Sequence, residues 1–581
     1  MRERLLLWCL ALAMAFVFVT PVSQAAALST QGELEAAISA AAGPVTLTLD
    51  ADTVLSSTLT IPAGKDITLA GEYKLIGANG AVTIAVNGTL TLDGVTVTHN
   101  GADTGSGVIV NTGATLIMTS GAISGNTSAV GVTPNGNGGG VFNSGTVILS
   151  GGSISGNTSV NEAGGVFNNS GTVTIFDNAA ISGNTSAKYA GGLYNHTGTV
   201  TMSGGEISGN TATQGGGGAR NQGATATFTM SGGSISGNTS LGDVGAGVLN
   251  MAGATFTMSG GAINDNTNSS ASSGGGVANL GSTFTMSGGE ISGNTAPSGG
   301  GVLNWNGATF IMSGGEIAAN ITTSASSKGG GVYNYGPATF TLDGGTIANH
   351  TTTLNGGGIY STNGASLVLT SGTISGNVVT GDGGGAWIDD PANLVLGSDI
   401  TFSGNRAGAA YALDPDDEGT YGPDYNNYDL NYTGGTRILY KVAYDDNGST
   451  KGTAPTDDGQ YNPLDVVTVA GQDDLAREGY TFLGWATNPE ATAAEYLAGE
   501  TFEITDNTTL YAVWQKDEVN SPVNPDPANP GGEEGSEEPS KDVTSTLPKA
   551  GDALAGSLLF PLLMAVGATG VFAYRARRQV Q

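Results

Sequence analysis

Hydrophobic and polar residues alternate in a short phrase that recurs along most of this chain. Its clearest copy is residues 285–295, Thr-Met-Ser-Gly-Gly-Glu-Ile-Ser-Gly-Asn-Thr. The isoleucine of this phrase returns at steps of about 26 to 31 residues, a period typical of solenoids. The recurring isoleucines are Ile123, Ile154, Ile181, Ile207, Ile235, Ile263, Ile291, Ile317, Ile347 and Ile374. We therefore predict a stack of similar coils.

Each repeat divides into three short runs. In the repeat at residues 247–267, an apolar run at 248–250 precedes an alternating run at 255–259, and a third run at 262–264 follows a Gly-Gly pair. Alternation with a period of two residues predicts β-strands, and no repeat carries the 3.6-residue stripe of an amphipathic helix. The predicted fold class is therefore all-β, a parallel β-helix with three strands per coil.

Parallel pairing of equivalent strands places like residues on like residues. We expect a ladder of Phe256, Phe284 and Phe310 and a second ladder of Met258, Met286 and Met312. Glycine pairs such as Gly232-Gly233 mark a sharp bend at which a Cβ would clash. Asparagines at the repeat's other corner should be structural and bond one another along the stack.

The chain begins with a pattern typical of an export signal. Arg2 and Arg4 precede an apolar run at residues 5–19, and small residues follow as far as Ala25, the predicted cleavage position. The single cysteine, Cys9, lies inside this segment. The exported protein would therefore carry no disulfide and no cysteine-based site.

A short helix is predicted directly before the first coil. Thr30 and Glu33 have the spacing of a capping box, and Leu34, Ile38 and Ala41 fall on one helical face. The first coil of a solenoid exposes apolar side chains and strand edges. We expect this helix to cover them.

The segments that join one repeat to the next differ most in length. Such loops form the ridge on which a solenoid usually binds its ligand. Here they consist of Ser, Thr, Ala, Asn and Gly, without the aromatic and basic residues that anchor sugars or nucleic acids. Trp305 and Trp387 are interpreted as capping or outer aromatics rather than as sugar platforms.

The predicted helix and coils resemble the right-handed parallel β-helix, or pectin-lyase-like, superfamily. Pairs such as Gly300-Gly301-Val302-Leu303-Asn304 are also similar to the repeats of polymorphic outer-membrane adhesins. The superfamily includes polysaccharide lyases, which use an Arg or Lys base beside calcium-binding acidic residues. It also includes hydrolases, which need carboxylates on adjacent coils.

Candidate catalytic residues are few and scattered. They are the basic residues Lys188, Arg220 and Lys328, the acidic residues Asp382, Asp389 and Asp390, and the histidines His99, His196 and His350, of which the last two are expected in exposed turns. Neighbouring residues in a strand point to opposite faces, which weakens Asp389-Asp390 as a catalytic pair. We predict no enzymatic activity, no catalytic residues, no cofactor and no metal site, with a polysaccharide lyase or hydrolase as the alternative.

The repeat stops near residue 405. Residues 411–437 are acidic and aromatic without a period, and we interpret them as a connector or cap. Weak calcium binding by this segment is the alternative.

Residues 438–515 have the composition of an ordinary small domain. Tyr440–Tyr444 alternates and runs into Asp446-Asn447-Gly448, a hairpin-turn signal. Gly479-Tyr480-Thr481-Phe482-Leu483-Gly484-Trp485 and the run from Asn507 to Trp514 resemble the Listeria–Bacteroides repeat, also called the internalin B-repeat. That resemblance implies a small β-grasp-like module of bacterial surface proteins. Trp485, Tyr511 and Trp514 are predicted to form its core.

The C-terminal segment combines a spacer with a pattern of three parts, which are a short motif, an apolar run and a basic end. Residues 516–546 are rich in Pro, Glu and Ser and predict a disordered spacer. The motif Leu547, Pro548, Lys549, Ala550 and Gly551 is followed by an apolar run at 553–573, long enough to span a bilayer, and by arginines that would stay cytoplasmic.

This pattern resembles the sorting signal of Gram-positive cell-wall proteins, Leu-Pro-x-Thr-Gly. The resemblance implies that a sortase cuts before Gly551 and joins Ala550 to peptidoglycan. Ala550 stands where the family has Thr. If the sortase does not accept this alanine, the run at 553–573 would remain as a membrane anchor.

Charge limits the choice of partners. The formal net charge is −31, with only 12% charged residues, which disfavours binding to nucleic acid or to an anionic lipid surface. The predicted segments are a signal peptide at 1–25, a parallel β-helix at 26–410, an acidic connector or cap at 411–437, a Listeria–Bacteroides repeat at 438–515, a spacer at 516–546 and a sorting signal at 547–581.

We expect an exported bacterial protein held at the cell surface, with a sortase and peptidoglycan or the membrane as processing and anchoring partners. Its predicted role is adhesion or surface interaction, with a glycan or protein of a host or neighbouring cell as ligand. A wall-attached polysaccharide-binding protein or enzyme, and a passive spacer without a ligand, are the other hypotheses.

Overall fold

A computed structural model describes residues 28–270, 273–408, 427–432, 440–459, 461, 466–504 and 506–517. Up to residue 432, three parallel sheets run along a β-solenoid, and each coil of the regular repeats contributes to all three. Every strand of a regular coil pairs in parallel with its equivalent in the next coil, as the repeat predicts. The all-β parallel solenoid is therefore confirmed.

The first sheet has 14 short strands, which carry the Gly-Val-x-Asn part of the repeat. They are Leu59–Ile61, Ile84–Val86, Val108–Val110, Val141–Asn143, Val166–Asn169, Leu193–His196, Ala219–Gln222, Val248–Met251, Val277–Leu280, Val302–Trp305, Val332–Tyr335, Ile359–Thr362, Ala386–Ile388 and Leu430–Tyr432. The last of these lies within the segment expected to be a connector or cap.

The second sheet carries the Thr-Phe-Thr-Met-Ser-Gly-Gly-x-Ile part of the repeat and has 20 strands. They are Val45–Thr48, Thr53–Val54, Asp66–Ala70, Lys74–Ile76, Thr89–Asp93, Thr96–Thr98, Thr115–Met118, Ala122–Ser124, Thr146–Leu149, Ser153–Ser155, Thr172–Ile175, Ala180–Ser182, Thr199–Ser208, Thr227–Ser236, Thr255–Asn264, Thr283–Ser292, Thr309–Ala318, Thr339–Ala348, Ser366–Ser375 and Leu394–Ser403.

The third sheet has nine strands of two residues, which directly follow the corner asparagines. They are Thr158–Ser159, Thr185–Ser186, Thr211–Ala212, Thr239–Ser240, Thr267–Asn268, Thr295–Ala296, Ile321–Thr322, Thr351–Thr352 and Val378–Val379. Two short 3₁₀-helices lie at Pro134–Gly136 and Pro391–Asn393.

Three strands per coil were predicted, but the second and third predicted runs form one strand, and the two-residue strand after the corner asparagine was not predicted. The runs on either side of Gly260-Gly261 form one ten-residue strand, Thr255–Asn264, with its register shifted at the glycines. In earlier coils the same runs are separate strands. Gly261 has a φ of +83°, and a Cβ on Gly260 would lie 2.5 Å from the carbonyl oxygen of Ser231. The glycine pair therefore bends the strand without always ending it.

Apolar ladders fill the interior of the solenoid, as predicted. The ring centroids of Phe256 and Phe284 are 5.0 Å apart, and those of Phe284 and Phe310 are 4.6 Å apart, with nearly parallel planes. Met258 is the register partner of Met286 in the next coil. All five side chains are fully buried, so like side chains stack on like from coil to coil.

Asparagines form a buried ladder at the corner between the second and third sheets. The Nδ2 of Asn266 donates to Oδ1 of Asn294 at 2.9 Å and to the carbonyl of Ile235 at 2.9 Å. The corner ladder consists of Asn126, Asn157, Asn184, Asn210, Asn238, Asn266, Asn294, Asn320, Asn377 and Asn405, with His99 at its start and His350 in its tenth position. Its structural role is the one predicted.

A second asparagine ladder lies inside the first sheet. Asn250 donates through Nδ2 to Oδ1 of Asn279 at 2.9 Å, and Asn279 donates to Asn304 at 2.9 Å. The same Nδ2 atoms also bond backbone carbonyls at the turn to the second sheet. Both ladders thus satisfy buried polar groups between the sheets.

The N-terminal helix spans Gln31–Ala40 and has both hydrogen bonds of a capping box, between Thr30 and Glu33. Leu34 and Ile38 are buried and belong to the same apolar cluster as the first strands of the solenoid. Its role as a cover for the first coil remains a prediction.

The described part of residues 440–517 forms a three-stranded sheet of Val442–Asp445, Tyr480–Ala486 and Thr508–Lys516, with a two-stranded sheet of Val466–Thr468 and Thr501–Glu503. Trp485 is fully buried, Trp514 packs partly buried against the same cluster, and Tyr511 is half-buried. Trp485 is therefore the centre of this core.

The hairpin predicted at Asp446-Asn447-Gly448 is wrong. Asn447 and Gly448 do adopt positive φ, as a tight turn requires. However, Val442–Asp445 pairs in parallel with Thr508–Lys516, more than sixty residues further along the chain. The turn therefore redirects the chain and does not join two neighbouring strands.

Candidate functional site

The outer face of the first sheet carries an aromatic row that crosses several coils. In the strand Val302–Trp305, Val302 and Asn304 are fully buried inside the solenoid. Because side chains alternate along a strand, Leu303 and Trp305 lie on the opposite face. Trp305 is 39% exposed. Each first-sheet strand therefore offers two outward positions.

At the N-terminal end of this row, three aromatic rings stack outside the sheet. Phe142 and Phe167 lie 5.4 Å apart with nearly parallel rings, and Tyr194 meets Phe167 edge-on at 5.1 Å. Ala163 and Ala190, from loops that precede the first-sheet strands, pack on these rings. This end of the row is therefore covered.

Arg220 continues the row on the following coil and is also covered. Its guanidinium carbon lies 3.6 Å from the ring centroid of Tyr189 and 5.0 Å from that of Tyr194. The residue is 6% exposed, and its Nε and Nη1 have no hydrogen-bond partner within the described part of the chain. The contact with Tyr189 is a cation–π interaction.

The row continues into the C-terminal half as a second aromatic group. Tyr333 meets Tyr360 at 5.5 Å, and Tyr360 stacks on Trp387 at 4.6 Å. On the other outward position, Trp305 meets Tyr335 at 6.2 Å. Both tryptophans lie on the outer face of the first sheet, as predicted, although neighbouring rings of the row leave Trp387 nearly buried.

A cavity of about 310 Å³ opens beside these rings. Among the described residues it is lined by Asp243, Val244, Ser273, Leu303, Trp305, Tyr333 and Tyr335. Val244 and Leu303 form an apolar cluster with Leu249 and Ala278. We call this cavity the aromatic pocket. It combines apolar walls, exposed ring surface and one carboxylate, which is the composition of a small-ligand site.

Burial also shifts the pKa of tyrosines in the row. It raises the pKa of Tyr333 to about 12 and, on the covered side, the pKa of Tyr194 to about 12. Both phenols therefore stay protonated at neutral pH. In the aromatic pocket, Tyr333 offers a neutral hydroxyl and a ring, not a negative charge.

The three basic residues considered as catalytic bases lie in different surroundings. Lys188 is exposed in a loop, Arg220 is stacked on Tyr189, and the Nζ of Lys328 lies 5.0 Å from the ring centroid of Tyr360. Arg220 and Lys328 thus contribute to the aromatic row. Sequence spacing gave no sign of this role.

The acidic residues near the C-terminal coils form local hydrogen bonds. Asp389 accepts from the hydroxyl of Thr362 at 3.1 Å. Asp390 caps the following 3₁₀-helix by accepting from the backbone of Ala392 at 2.9 Å. Asp389 and Asp390 therefore form different contacts, as expected for neighbouring residues whose side chains point to opposite faces. Asp382 lies in the same coil, before the strand Ala386–Ile388, and accepts from Nδ2 of Asn427.

The exposed turn positions predicted for two histidines are wrong. His196 ends the first-sheet strand Leu193–His196 and is half-buried. His350 is fully buried and takes the place of an asparagine in the corner ladder. His99 is also buried and bonds Asn126 through Nδ1 at 2.8 Å. The sequence signal missed here is position: His99 and His350 stand where other repeats have Asn.

Several predicted elements lie outside the described residues. They include the signal cleavage position Ala25, the sorting motif Leu547, Pro548, Lys549, Ala550 and Gly551, and the apolar run at 553–573. No helix in the described ranges is long and apolar enough to span a bilayer. Within the same ranges, His, Asp and Glu side chains form no group of three that could hold a metal ion.

Comparison with known proteins identifies one segment. Residues 440–513 match the model of the Listeria-Bacteroides repeat domain. "Putative membrane protein" of Evansella cellulosilytica is 42% identical over 77 residues, which is 13% of this chain and 11% of the relative. "Putative Gly-rich membrane protein" of the same organism is 38% identical over 78 residues, 13% of this chain and 9% of the relative. The chain thus spans about a tenth of these relatives' lengths, and no solved structure matches it.

Proposed function

We propose that this chain is a bacterial cell-surface adhesin or surface interaction protein, and that the outer face of its first sheet is the binding surface. The observation that carries this proposal is the aromatic pocket with the exposed ring of Trp305 at its wall. Exposed aromatic residues beside a cavity are typical of binding surfaces.

Its surface location is supported from two directions. The Listeria–Bacteroides repeat and the membrane-protein names of the two relatives fit a surface protein. The sequence adds an export signal and a sorting motif at residues 547–551, from which we infer sortase processing and attachment to a Gram-positive cell wall. If the motif is not cut, the run at 553–573 would retain the protein in the membrane.

A wall-attached polysaccharide-binding protein is the second candidate, because a sugar ring can stack on Trp305. A lyase or hydrolase of the pectin-lyase-like type has less support. Arg220 and Lys328 are engaged with tyrosine rings, and Asp389 and Asp390 with local backbone and hydroxyl groups. We therefore propose a non-enzymatic function.

The test displays the full-length chain on a Gram-positive host and lays the cells on a glycan array. Trp305→Ala should reduce binding at least tenfold, because truncating an exposed anchor removes most of its contact. Tyr73→Ala is the matched control, since Tyr73 is 41% exposed and Trp305 39%, and it should bind like the parent.

Undiminished binding by Trp305→Ala cells would exclude this face as the binding surface. Polygalacturonate is incubated with the same cells in parallel. Cleavage above that of cells without the protein would favour the enzyme alternative.

A further inference from the structure

The aromatic row already binds cations that belong to the chain itself. Arg220 lies over the ring of Tyr194 at 5.0 Å and over the loop residue Tyr189 at 3.6 Å, and the ammonium of Lys328 lies over Tyr360 at 5.0 Å. The face of an aromatic ring carries partial negative charge and attracts cations at these distances. On two coils of the row, then, a positive side chain occupies a ring face.

The aromatic pocket offers the same chemistry, and no cationic side chain is among the described residues that line it. Its aromatic lining residues are Trp305, Tyr333 and Tyr335. The planes of Trp305 and Tyr335 meet at 64°, and those of Tyr333 and Tyr335 at 68°. Rings at such angles present a corner rather than a flat platform. A compact cation in that corner would touch several rings at once.

Charge favours a cation over an uncharged ligand. Asp243 is the acidic residue among the described residues of the pocket wall, and the chain has a formal charge of −31, which attracts cations from a distance. A sugar that entered the pocket would need partners for most of its hydroxyls. Of the seven lining residues, only Asp243, Ser273 and the two tyrosines carry polar side chains other than the indole N–H. An alkylammonium group needs only ring faces and one carboxylate.

We propose that the aromatic pocket binds a quaternary ammonium headgroup of the choline type. The methyl groups pack against Trp305, Tyr333 and Tyr335, and the positive charge is balanced by Asp243. This inference rests on the proposed function, because it names the group recognised on the first-sheet face. A volume of about 310 Å³ accommodates such a headgroup and a short part of whatever carries it.

The test measures binding calorimetrically with the full-length chain. The chain is kept in a polyoxyethylene detergent, which avoids sugar headgroups, and in phosphate buffer, which avoids organic cations. The probes are choline chloride, its uncharged carbon analogue 3,3-dimethyl-1-butanol, methyl glucoside and Nα-acetyl-lysinamide. Choline should bind at least about tenfold more tightly than the carbon analogue, because the two differ only in charge at the same shape.

Variants assign the binding to the pocket. Trp305→Ala and Asp243→Asn should each weaken choline binding at least about fivefold, through loss of a ring face and of the balancing charge respectively. Glu290→Gln removes an exposed carboxylate on the second sheet and should leave choline binding unchanged. Circular dichroism of each variant shows that the solenoid is intact.

Three results would overturn the assignment. They are equal binding of choline and its carbon analogue, absence of choline binding, or tighter binding of methyl glucoside or of the lysine amide, which would make the ligand a sugar or a protein side chain. None of these results touches the proposed surface-binding role, which fails only if displayed Trp305→Ala cells bind as the parent does.

Discussion

Asparagines of the corner ladder bond both neighbouring ladder residues through their side chains, as Asn266 shows. Asn266 donates from Nδ2 to Asn294, and its own Oδ1 accepts from Nδ2 and the backbone N–H of Asn238. A buried donor or acceptor that loses its partner costs about 1–3 kcal/mol. The ladder therefore fixes residue type at this corner more strictly than the apolar positions do, since those tolerate Phe, Leu or Val.

His350 fits this ladder only as a neutral ring. Its Nδ1 accepts from the backbone N–H of Asn320 at 3.1 Å, so its Nε2 carries the proton and donates to the carbonyl of Ile317 at 3.0 Å. Burial lowers the pKa of His350 to about 4. A second proton on Nδ1 would face the N–H of Asn320. The native ladder therefore excludes the charged form.

The predicted consequence is a loss of stability in mild acid. The folded pKa lies below the unfolded value near 6.5, so the contribution of His350 is complete above pH 6.5 and is lost as the pH falls towards 4, by about 3 kcal/mol. Denaturant unfolding of the parent and of His350→Asn should diverge by that amount between pH 7 and pH 4. Asparagine is the ladder's own residue and does not titrate.

His196→Asn is the matched control, because His196 is half-buried and lies outside the ladder. It should follow the parent's pH dependence. A parent curve that stays parallel to that of His350→Asn across this range would contradict the prediction.

At the scale of one element, the long second-sheet strand depends on its glycine bend. Gly261 combines a φ of +83° with close approach, since a Cβ there would lie 2.7 Å from the carbonyl oxygen of Gly233 and from Cε of Met230. Gly113 has a similar φ of +81°, but nothing lies within 4 Å of its Cβ position. Alanine substitutions at Gly113 and Gly261 therefore separate the cost of a strained backbone from the cost of steric crowding.

We expect Gly113→Ala to lower the free energy of unfolding by about 1–2 kcal/mol, the cost of a left-handed backbone for a residue with a Cβ. Gly261→Ala should cost at least about 1 kcal/mol more, because the backbone of the neighbouring coil must also shift. Urea titrations monitored by circular dichroism give both values. Equal losses would show that the strand has room for a methyl group at its bend.

The sequence predicted the elements that repeat and missed those that depend on contacts between coils. The ladders of Phe256 and Met258 followed from period alone, because identical residues recur at fixed steps. The aromatic row did not, because the outward position between Val and Asn holds Phe142, Arg220, Leu303 or Trp387 in different coils. Only the parallel register places these unlike residues side by side.

The same limit explains the misplaced histidines and hairpin. His350 looked like a turn residue because its neighbours are Asn and Thr, whereas its repeat position makes it a buried ladder member. The turn at Asn447 has the right local backbone, but the partner of the preceding strand is Thr508–Lys516. Local sequence sets backbone preference, while pairing is decided by distant residues.

At the scale of the whole solenoid, each coil contacts mainly its neighbours, so stability is close to a sum over coils and interfaces. Asn266 and Asn294, in adjacent coils, are 28 residues apart. Removing residues 255–282 joins Ala254 to Thr283, which is the register partner of Thr255. The shortened chain should rebuild every ladder with one coil fewer.

We therefore expect the deletion of residues 255–282 to leave a cooperative β-sheet protein with a slightly smaller denaturant m-value, because less surface is exposed on unfolding. The control deletion, residues 255–268, removes half a coil and puts unlike faces in register. It should abolish cooperative unfolding measured by circular dichroism. If both deletions behaved alike, exact coil register would not be what holds the stack together.

The corner ladder has a direction. The bonds between its asparagine side chains all run towards the C-terminal coil, from Asn126 to Asn157 at one end and from Asn405 to the carboxylate of Asp429 at the other, and His99 meets the first oxygen at the start. The series of side-chain bonds is interrupted at His350, where Nδ2 of Asn320 donates to the carbonyl of Ile291 instead. Aligned amides polarise one another, so each of the two runs behaves as an electric dipole. The imidazole of His99 lies at the negative pole of the first run, and the carboxylate of Asp429 lies at the positive pole of the second. His350 separates the two runs, and the backbone N–H groups of Asn320 and His350 bond across the gap, so the inner end of neither run is left without a partner.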